Sequence, residues 1–184
     1  MHHRPSVTLP PLSCAEPHCG PATQVEQSPL ILAARNKCDD EDALKRRTEV
    51  VQLLVDAGSD VNTPDKYGDP PLILAVMDGT GIEKYDVVRV LVDAGAKLDC
   101  QCANFKMNPL HWAAVGAHCK IAALLMERAS AQGDKCKDLM TMKDGQKRTP
   151  LQVAKKQKSI ETKLDKEKEK HDEVIALLET ATAA

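Results

Sequence analysis

A short apolar motif recurs four times along this chain of 184 residues. In each copy a proline and a leucine lead into small apolar residues: SPLILAA at 28–34, PPLILAV at 70–76, NPLHWAA at 108–114 and TPLQVA at 149–154. A second apolar segment with helical spacing follows each copy, at 50–55, 87–92, 121–126 and 174–178. Units that recur in a fixed order predict a solenoid, because each small repeat is buried only by its neighbours.

Residues beside these segments predict where the helices begin and end. Good N-cap residues stand before the proline of three copies, at Ser28, Asn108 and Thr149, and proline suits the first helical position. In the second copy Pro70 takes the cap position, so Asp69 is expected to compensate in part. Gly58 and Gly95 are expected to stop the second helices, and Gly68 to mark a turn between repeats. Each unit is therefore predicted to be two helices and a projecting loop.

The repeated unit resembles the ankyrin repeat, whose signature joins a glycine turn, a Thr-Pro-Leu-His tetrad, two short helices and a Gly-Ala-Asp-Val-Asn exit. The closest stretches are residues 108–118, which begin NPLHWAA, and residues 53–62, LLVDAGSDVN. The resemblance implies an all-α, ankyrin-repeat helical solenoid with projecting hairpin loops. It assigns the repeat domain to residues 28–184, with repeats near 28–64, 65–104, 105–143 and 144–180.

The repeats exceed the usual ankyrin period of about 33 residues. The first carries its surplus between its helices, in the charged segment 36–47, and the second around 78–83. In the third the surplus follows the helices, around 132–142. The charged segment 155–172 is predicted to be an exposed helical extension that caps the stack; a charged arm for a specific partner is the alternative.

Residues 1–27 do not align with the repeat and contain five prolines. This composition predicts an extended or disordered N-terminal tail. The alternative is that the tail lies along the first repeat, where Val7, Leu9 and Leu12 would cover apolar surface.

Composition excludes several classes of function. Aromatic residues make up only 2% of the chain, which disfavours a stacking platform for single-stranded nucleic acid. A net charge of −2 and a pI near 6.3 argue against a general nucleic-acid binder. No apolar run reaches the roughly 20 residues that span a bilayer. The seven cysteines, without a recognisable secretory signal, predict reduced thiols and a cytoplasmic, alternatively nuclear, protein. A monomer is expected.

The sequence favours no enzyme and no cofactor. It lacks a phosphate-binding glycine loop, a His-Glu-x-x-His motif and a Cys-x-x-Cys pair. Cys100 and Cys102, near His111 and Cys119, suggest an alternative, a metal- or redox-responsive regulatory module, although their spacing is not that of a structural zinc site. The resemblance implies that His111 and His118 are structural.

Protein binding is the function that the resemblance implies, for a scaffold, adaptor or inhibitor. Its partner, another protein, would contact the hairpin tips and the inner face of the first helices. These regions contain Arg35, Asn36, Lys66, Tyr67, Asp69, Met77, Asp78, Phe105, Lys106, Val115, Lys147, Arg148 and Lys156. Tyr67 and Phe105 are candidate hot-spot anchors; the alternative is that each ring folds back onto its own hairpin.

Overall fold

The fold is that of a computed structural model of the chain, which describes residues 28–35, 40–77, 85–131, 135–160 and 165–183. Within these ranges the regular structure is helical. The helices are α1 Pro29–Arg35, α2 Glu41–Asp56, α3 Pro71–Met77, α4 Tyr85–Asp93, α5 Pro109–Val115, α6 Cys119–Ala131, α7 Lys135–Thr141, α8 Pro150–Ile160 and α9 Asp165–Ala183. The predicted tail, residues 1–27, lies outside the described residues.

Four helix pairs stack into two layers. The pairs are α1 with α2, α3 with α4, α5 with α6, and α8 with α9. The first helices form one layer, in which α3 packs between α1 and α5, and α8 packs on α5. The second helices form the other layer, in the order α2, α4, α6 and α9. The prediction of an all-α solenoid is confirmed.

A continuous core of leucine, valine, isoleucine and alanine runs through the stack. Leu30, Leu72 and Leu110, the leucines that open three of the motifs, are almost fully buried. Alanines such as Ala34, Ala75 and Ala114 are also buried in this core, where their small side chains let neighbouring helices approach closely. The near absence of aromatics thus agrees with a core built from thin helical layers.

The surplus residues of the first repeat are partly helical. Helix α2 is 16 residues long and begins in the charged segment, where the side chain of Asp40 accepts a hydrogen bond from the backbone N–H of Ala43 at 2.5 Å. Arg47 from the same segment is buried, and its guanidinium donates to the carbonyl oxygens of Ala33 and Ala34. It therefore satisfies carbonyl groups that the end of α1 leaves unpaired.

The third repeat contains an additional helix that the sequence did not reveal. Within the predicted surplus, α7 packs mainly on α6, and its Leu139 and Met140 are buried. In the last repeat, the charged segment forms the end of α8 and the start of α9, with residues 161–164 outside the described part. Ion pairs of Lys155 with Glu179 and of Lys158 with Asp172 join these two helices, in agreement with the predicted helical extension.

Candidate functional site

Three hairpin tips project between successive first helices, at residues 65–69, 102–107 and 144–148. In the first tip the backbone N–H of Asp65 donates to the carbonyl of Asp69 at 2.9 Å, and that of Gly68 donates to the carbonyl of Asp65. The third tip repeats this pattern with Asp144 and Arg148. In the middle tip Cys102 N–H donates to the carbonyl of Met107. The loops predicted between repeats therefore have internally hydrogen-bonded backbones.

Buried carboxylates shape the first and third tips from within. Asp65 Oδ1 accepts hydrogen bonds from the backbone of Tyr67 at 2.8 Å and of Asp69 at 2.9 Å. Asp144 Oδ1 accepts in the same way from Gln146 and Arg148. Burial would raise the pKa of Asp144, but the hydrogen bonds from Arg148 and Gln146 outweigh burial and lower this pKa. These acidic side chains fix loop conformation.

The middle tip replaces the carboxylate with a thiol. Cys102 is buried, and its Sγ accepts a hydrogen bond from the backbone N–H of Met107 at 3.3 Å. Cys102, Met107 and Ile73 form a small apolar cluster of their own beneath this tip. Cys102 is thus a structural residue of the loop.

Hydrogen bonds also join each tip to the next. Asp69 Oδ1 accepts from the backbone N–H of Ala103 at 2.9 Å, and the N–H of Gly145 donates to the carbonyl of Phe105 at 2.8 Å. A Cβ at Gly145 would stand 3.1 Å from that same carbonyl oxygen, so glycine permits the close approach. The three tips consequently form one connected row, which is preorganised for binding.

Asp69, one of the predicted partner-binding residues, has a buried side chain. Its carboxylate accepts the hydrogen bond from Ala103, and leaving that partly buried N–H unpaired would cost free energy. Arg148 is also largely committed, since its guanidinium pairs with Asp144 Oδ2 at 2.7 Å and its side chain is only 21% exposed. Both residues hold the tips in place.

A groove of about 290 Å³ lies between the first two tips and the first helices beneath them. Five predicted binding residues line it: Arg35, Tyr67, Asp69, Met77 and Phe105. The structure adds Cys102, Asn104 and Trp112 to the lining. The groove therefore combines residues of the first three repeats, from the end of α1 to α5.

The aromatic rings of this groove remain accessible. Tyr67 is 53% exposed and Phe105 56% exposed. Phe105 packs edge-on against Trp112, with ring centroids 6.0 Å apart and an interplanar angle of 80°. Lys66 Nζ lies 4.9 Å from the centroid of the Tyr67 ring. Tyr67 thus has Lys66 as a neighbour and Phe105 has Trp112. Because about half of each side chain stays exposed, the alternative that the rings fold back onto their own hairpins applies only in part.

The charge exposed at the tips is positive. Every acidic side chain within the three tip ranges is buried, namely Asp65, Asp69 and Asp144. The exposed charged side chains of the same ranges are Lys66, Lys106 and Lys147. A partner meeting the row would therefore encounter lysines, one from each successive tip.

Two of these lysines adopt a backbone conformation that favours glycine. Lys106 has a φ of 53° and Lys147 a φ of 62°, and Gly68 has a φ of 86° at the corresponding place in the first tip. All three residues stand four positions before the leucine of the following motif. A non-glycine residue in this region costs about 1 kcal/mol or more. The second and third tips thus have lysine where glycine would be less strained.

The remaining predicted binding residues lie outside the groove or outside the residues that the structure describes. Val115, at the end of α5, is half-buried against the small cluster, and Lys156 of α8 is exposed; neither lines the groove. Asn36 and Asp78 lie outside the described residues. Trp112 was not among the predicted binding residues, although an indole at the position where the other motifs have Leu32, Leu74 and Val153 was the available signal.

His111 joins two repeats. It is fully buried, its Nδ1 accepts from the backbone N–H of Asn108, and its Nε2 donates to the carbonyl of Arg148 at 2.9 Å. Burial lowers the pKa of His111 below its ordinary value of 6.5, so the ring is neutral near pH 7. His118 is buried at the turn between α5 and α6, against Gly116. These positions agree with the structural roles that were predicted.

The cysteines of the described segments give no support to a metal or redox role. Cys100, Cys102 and Cys119 are not joined in disulfides, and burial, with the Asp99 carboxylate nearby, raises the pKa of Cys100 to about 12. A reactive cysteine requires a lowered pKa. Among the residues described, no group of three or more histidine, cysteine or acidic side chains could hold a metal ion.

Comparison with protein families gives a match that agrees with the stack. A family model described as ankyrin repeats, in three copies, matches residues 12–102 and also residues 41–138. Together these matches cover more than half of the chain. They begin before α1 and end before the last helix pair, so the structure alone supplies the fourth stacked unit. No helix in the described segments is long and apolar enough to cross a membrane.

Proposed function

This chain belongs to the ankyrin repeat family, whose domains are generally non-enzymatic protein-interaction modules, and we propose that it is a non-catalytic scaffold, adaptor or inhibitor. The observation that carries the proposal is the groove lined by Tyr67, Phe105 and Trp112 beside a row of exposed lysines. Tryptophan and tyrosine, with arginine, are the side chains most enriched at interface hot spots.

The groove and the tips together suggest the chemistry of the partner. A pocket of about 290 Å³ walled by Met77, Phe105 and Trp112 accepts an apolar side chain. Lys66, Lys106 and Lys147 would then face acidic residues beside that side chain. We therefore propose a partner segment with an apolar anchor flanked by acidic residues, bound along the tips. Because the lysines are exposed, the affinity should fall as salt rises.

The experiment compares proteins captured by three forms of the immobilised full chain. The wild type and an Arg89→Ala control, altered at an exposed residue of α4 on the other helix layer, should retain the same partner. Tyr67→Ala combined with Phe105→Ala should lose it, since each hot-spot ring contributes about 2 kcal/mol, roughly thirty-fold in Kd. Thermal unfolding of that variant should stay close to wild type, because both rings are half exposed. Identical capture by all three forms would place binding away from the groove.

A further inference from the structure

The first repeat exposes three large apolar side chains whose counterparts in the later repeats are buried or partly buried. Leu32 of α1 is 47% exposed, and Val50 and Leu53 of α2 are 47% and 67% exposed. The residues that correspond to Val50 in the later repeats, Val87, Ile121 and Val174, are essentially buried. Those that correspond to Leu32 in the second and fourth repeats, Leu74 and Val153, are buried too. We call Leu32, Val50 and Leu53 the leading face.

Comparison of the first repeat with the fourth shows which neighbouring repeat covers these positions in the rest of the stack. The first repeat has its own helix partner and a following repeat, with α3 on α1 and α4 on α2. In the fourth repeat, α8 packs on α5 and α9 on α6, so its preceding neighbour is present. In the fourth repeat the positions of Leu32 and Val50 are buried and that of Leu53 is partly buried, whereas all three are exposed in the first repeat. They therefore face the preceding side of each repeat, and among the described residues nothing precedes α1.

We infer that the chain's own residues 7–27 cover the leading face, with Leu9 and Leu12 as the apolar anchors. These residues immediately precede α1, and the ankyrin family match begins at residue 12, inside this segment. Pro10 and Pro11 between the two leucines favour a polyproline II conformation, which has three residues per turn. Leu9 and Leu12 would then project from the same edge toward the leading face.

The reach and the effective concentration of the tail favour it over another molecule. The residues between Leu12 and Ser28 can span about 50 Å when extended. Helix α1 has seven residues, about 10 Å in length, and packed helices lie 8–10 Å apart, so the leading face lies within about 20 Å of Ser28. A segment tethered this closely has an effective concentration in the millimolar range. The tail would thus close one end of the stack, as terminal repeats do in other solenoids.

A double-mutant cycle on the full chain tests this inference. Leu9→Ser with Leu12→Ser removes the anchors, and Leu53→Ser removes the most exposed residue of the leading face. Each change should lower the melting temperature by about 2–4 °C, and all three substitutions together should lower it little further, because they delete the same contact. The tail variant should also lose about tenfold of the amide protection of α2 near Val50.

Tyr67→Ser is the matched control, because Tyr67 is also a large exposed side chain but belongs to the first tip and not to the leading face. Its effect should add to that of the tail variant. Additive effects of Leu53→Ser and the tail variant, or no effect of Leu53→Ser, would overturn the inference. So would a melting temperature that rises with protein concentration and a dimer that Leu53→Ser dissociates, since a second copy would then occupy the face.

Discussion

Each tip has one residue in the left-handed region of backbone conformation. Glycine at this position favours stability of the fold, whereas lysine adds an exposed charge for binding at a cost in stability. Gly68 adopts this conformation with little cost, whereas Lys106 and Lys147 adopt it as non-glycine residues. Backbone strain that persists at a surface tip suggests a functional reason for the side chain. The exposed ammonium groups are that reason in the function proposed above.

Replacing both lysines by glycine should therefore move stability and affinity in opposite directions. Lys106→Gly with Lys147→Gly should raise the free energy of unfolding by up to about 1 kcal/mol per site, measured by urea titration, and should weaken partner binding, measured by calorimetry. Lys66→Gly is the control, since Lys66 does not have a positive φ; it should not stabilise the fold. A double variant with unchanged affinity would show that the lysines are not used.

His111 predicts a specific pH dependence of stability. Its pKa is lowered in the folded chain, so below pH 6.5 the unfolded chain takes up a proton that the folded chain does not. Stability should consequently fall as the pH decreases from 6.5 toward the folded pKa, by at most about 1.4 kcal/mol per pH unit from this group. His111→Gln, which keeps a donor for the Arg148 carbonyl, should flatten this dependence in urea titrations. An equally steep curve for the variant would contradict the assignment.

For single residues, the sequence indicated which side chains matter more reliably than whether those side chains are exposed or buried. Tyr67 and Phe105, the candidate anchors, are about half exposed, and His111 bonds between repeats. The burial of Asp69 was not foreseen, because it depends on the approach of Ala103 in the next tip, which the local sequence does not encode. Arg47 likewise lies in a charged segment of the sequence yet is buried against the end of α1.

At the scale of elements, Asn108 performs two tasks for α5 and α7. Its side-chain oxygen accepts from the backbone N–H of His111 at 2.9 Å as a helix cap. Its side-chain nitrogen donates to the carbonyl of Leu139 in α7 at 2.8 Å. A cap predicted from sequence thus also attaches the additional helix to the core.

Asn108→Ala should therefore cost more than the loss of a cap. Losing a cap costs about 1 kcal/mol, and the unpaired Leu139 carbonyl should add to that cost and loosen α7. Thr149→Ala is the matched control, because Thr149 caps α8 through an exposed pair of bonds with Gln152. Hydrogen exchange should show faster exchange of α7 in the first variant only. Equal exchange in both variants would mean that α7 is held without Asn108.

Helix α7 also shows why part of the fold was missed. Its seven residues are too few to reveal a helical period, and its burial depends on α6 and on Asn108. The four repeated pairs, by contrast, could be predicted because the same apolar spacing and the same stops recur. Gly58 and Gly95 end α2 and α4 with φ values of 84° and 87°, as their positions after the apolar segments indicated.

At the scale of the whole molecule, the groove exists only because repeats stack. Arg35, Tyr67 and Phe105 belong to three different repeats and share one pocket. Stacking in register places each tip beside the next, and the bonds from Asp69 to Ala103 and from Gly145 to Phe105 fix that arrangement. The sequence could therefore nominate five lining residues, but it could not show that they form one cavity.

The proposed function requires a partner protein to be held in this groove and along the tips. Hydrogen exchange of the full chain, alone and in complex with the partner recovered by the wild type, tests this directly. Added protection is expected in residues 65–69 and 102–107 and at the ends of α1 and α3, with α4 and α6 unchanged. Added protection confined to α4 and α6, or to α9, would contradict it.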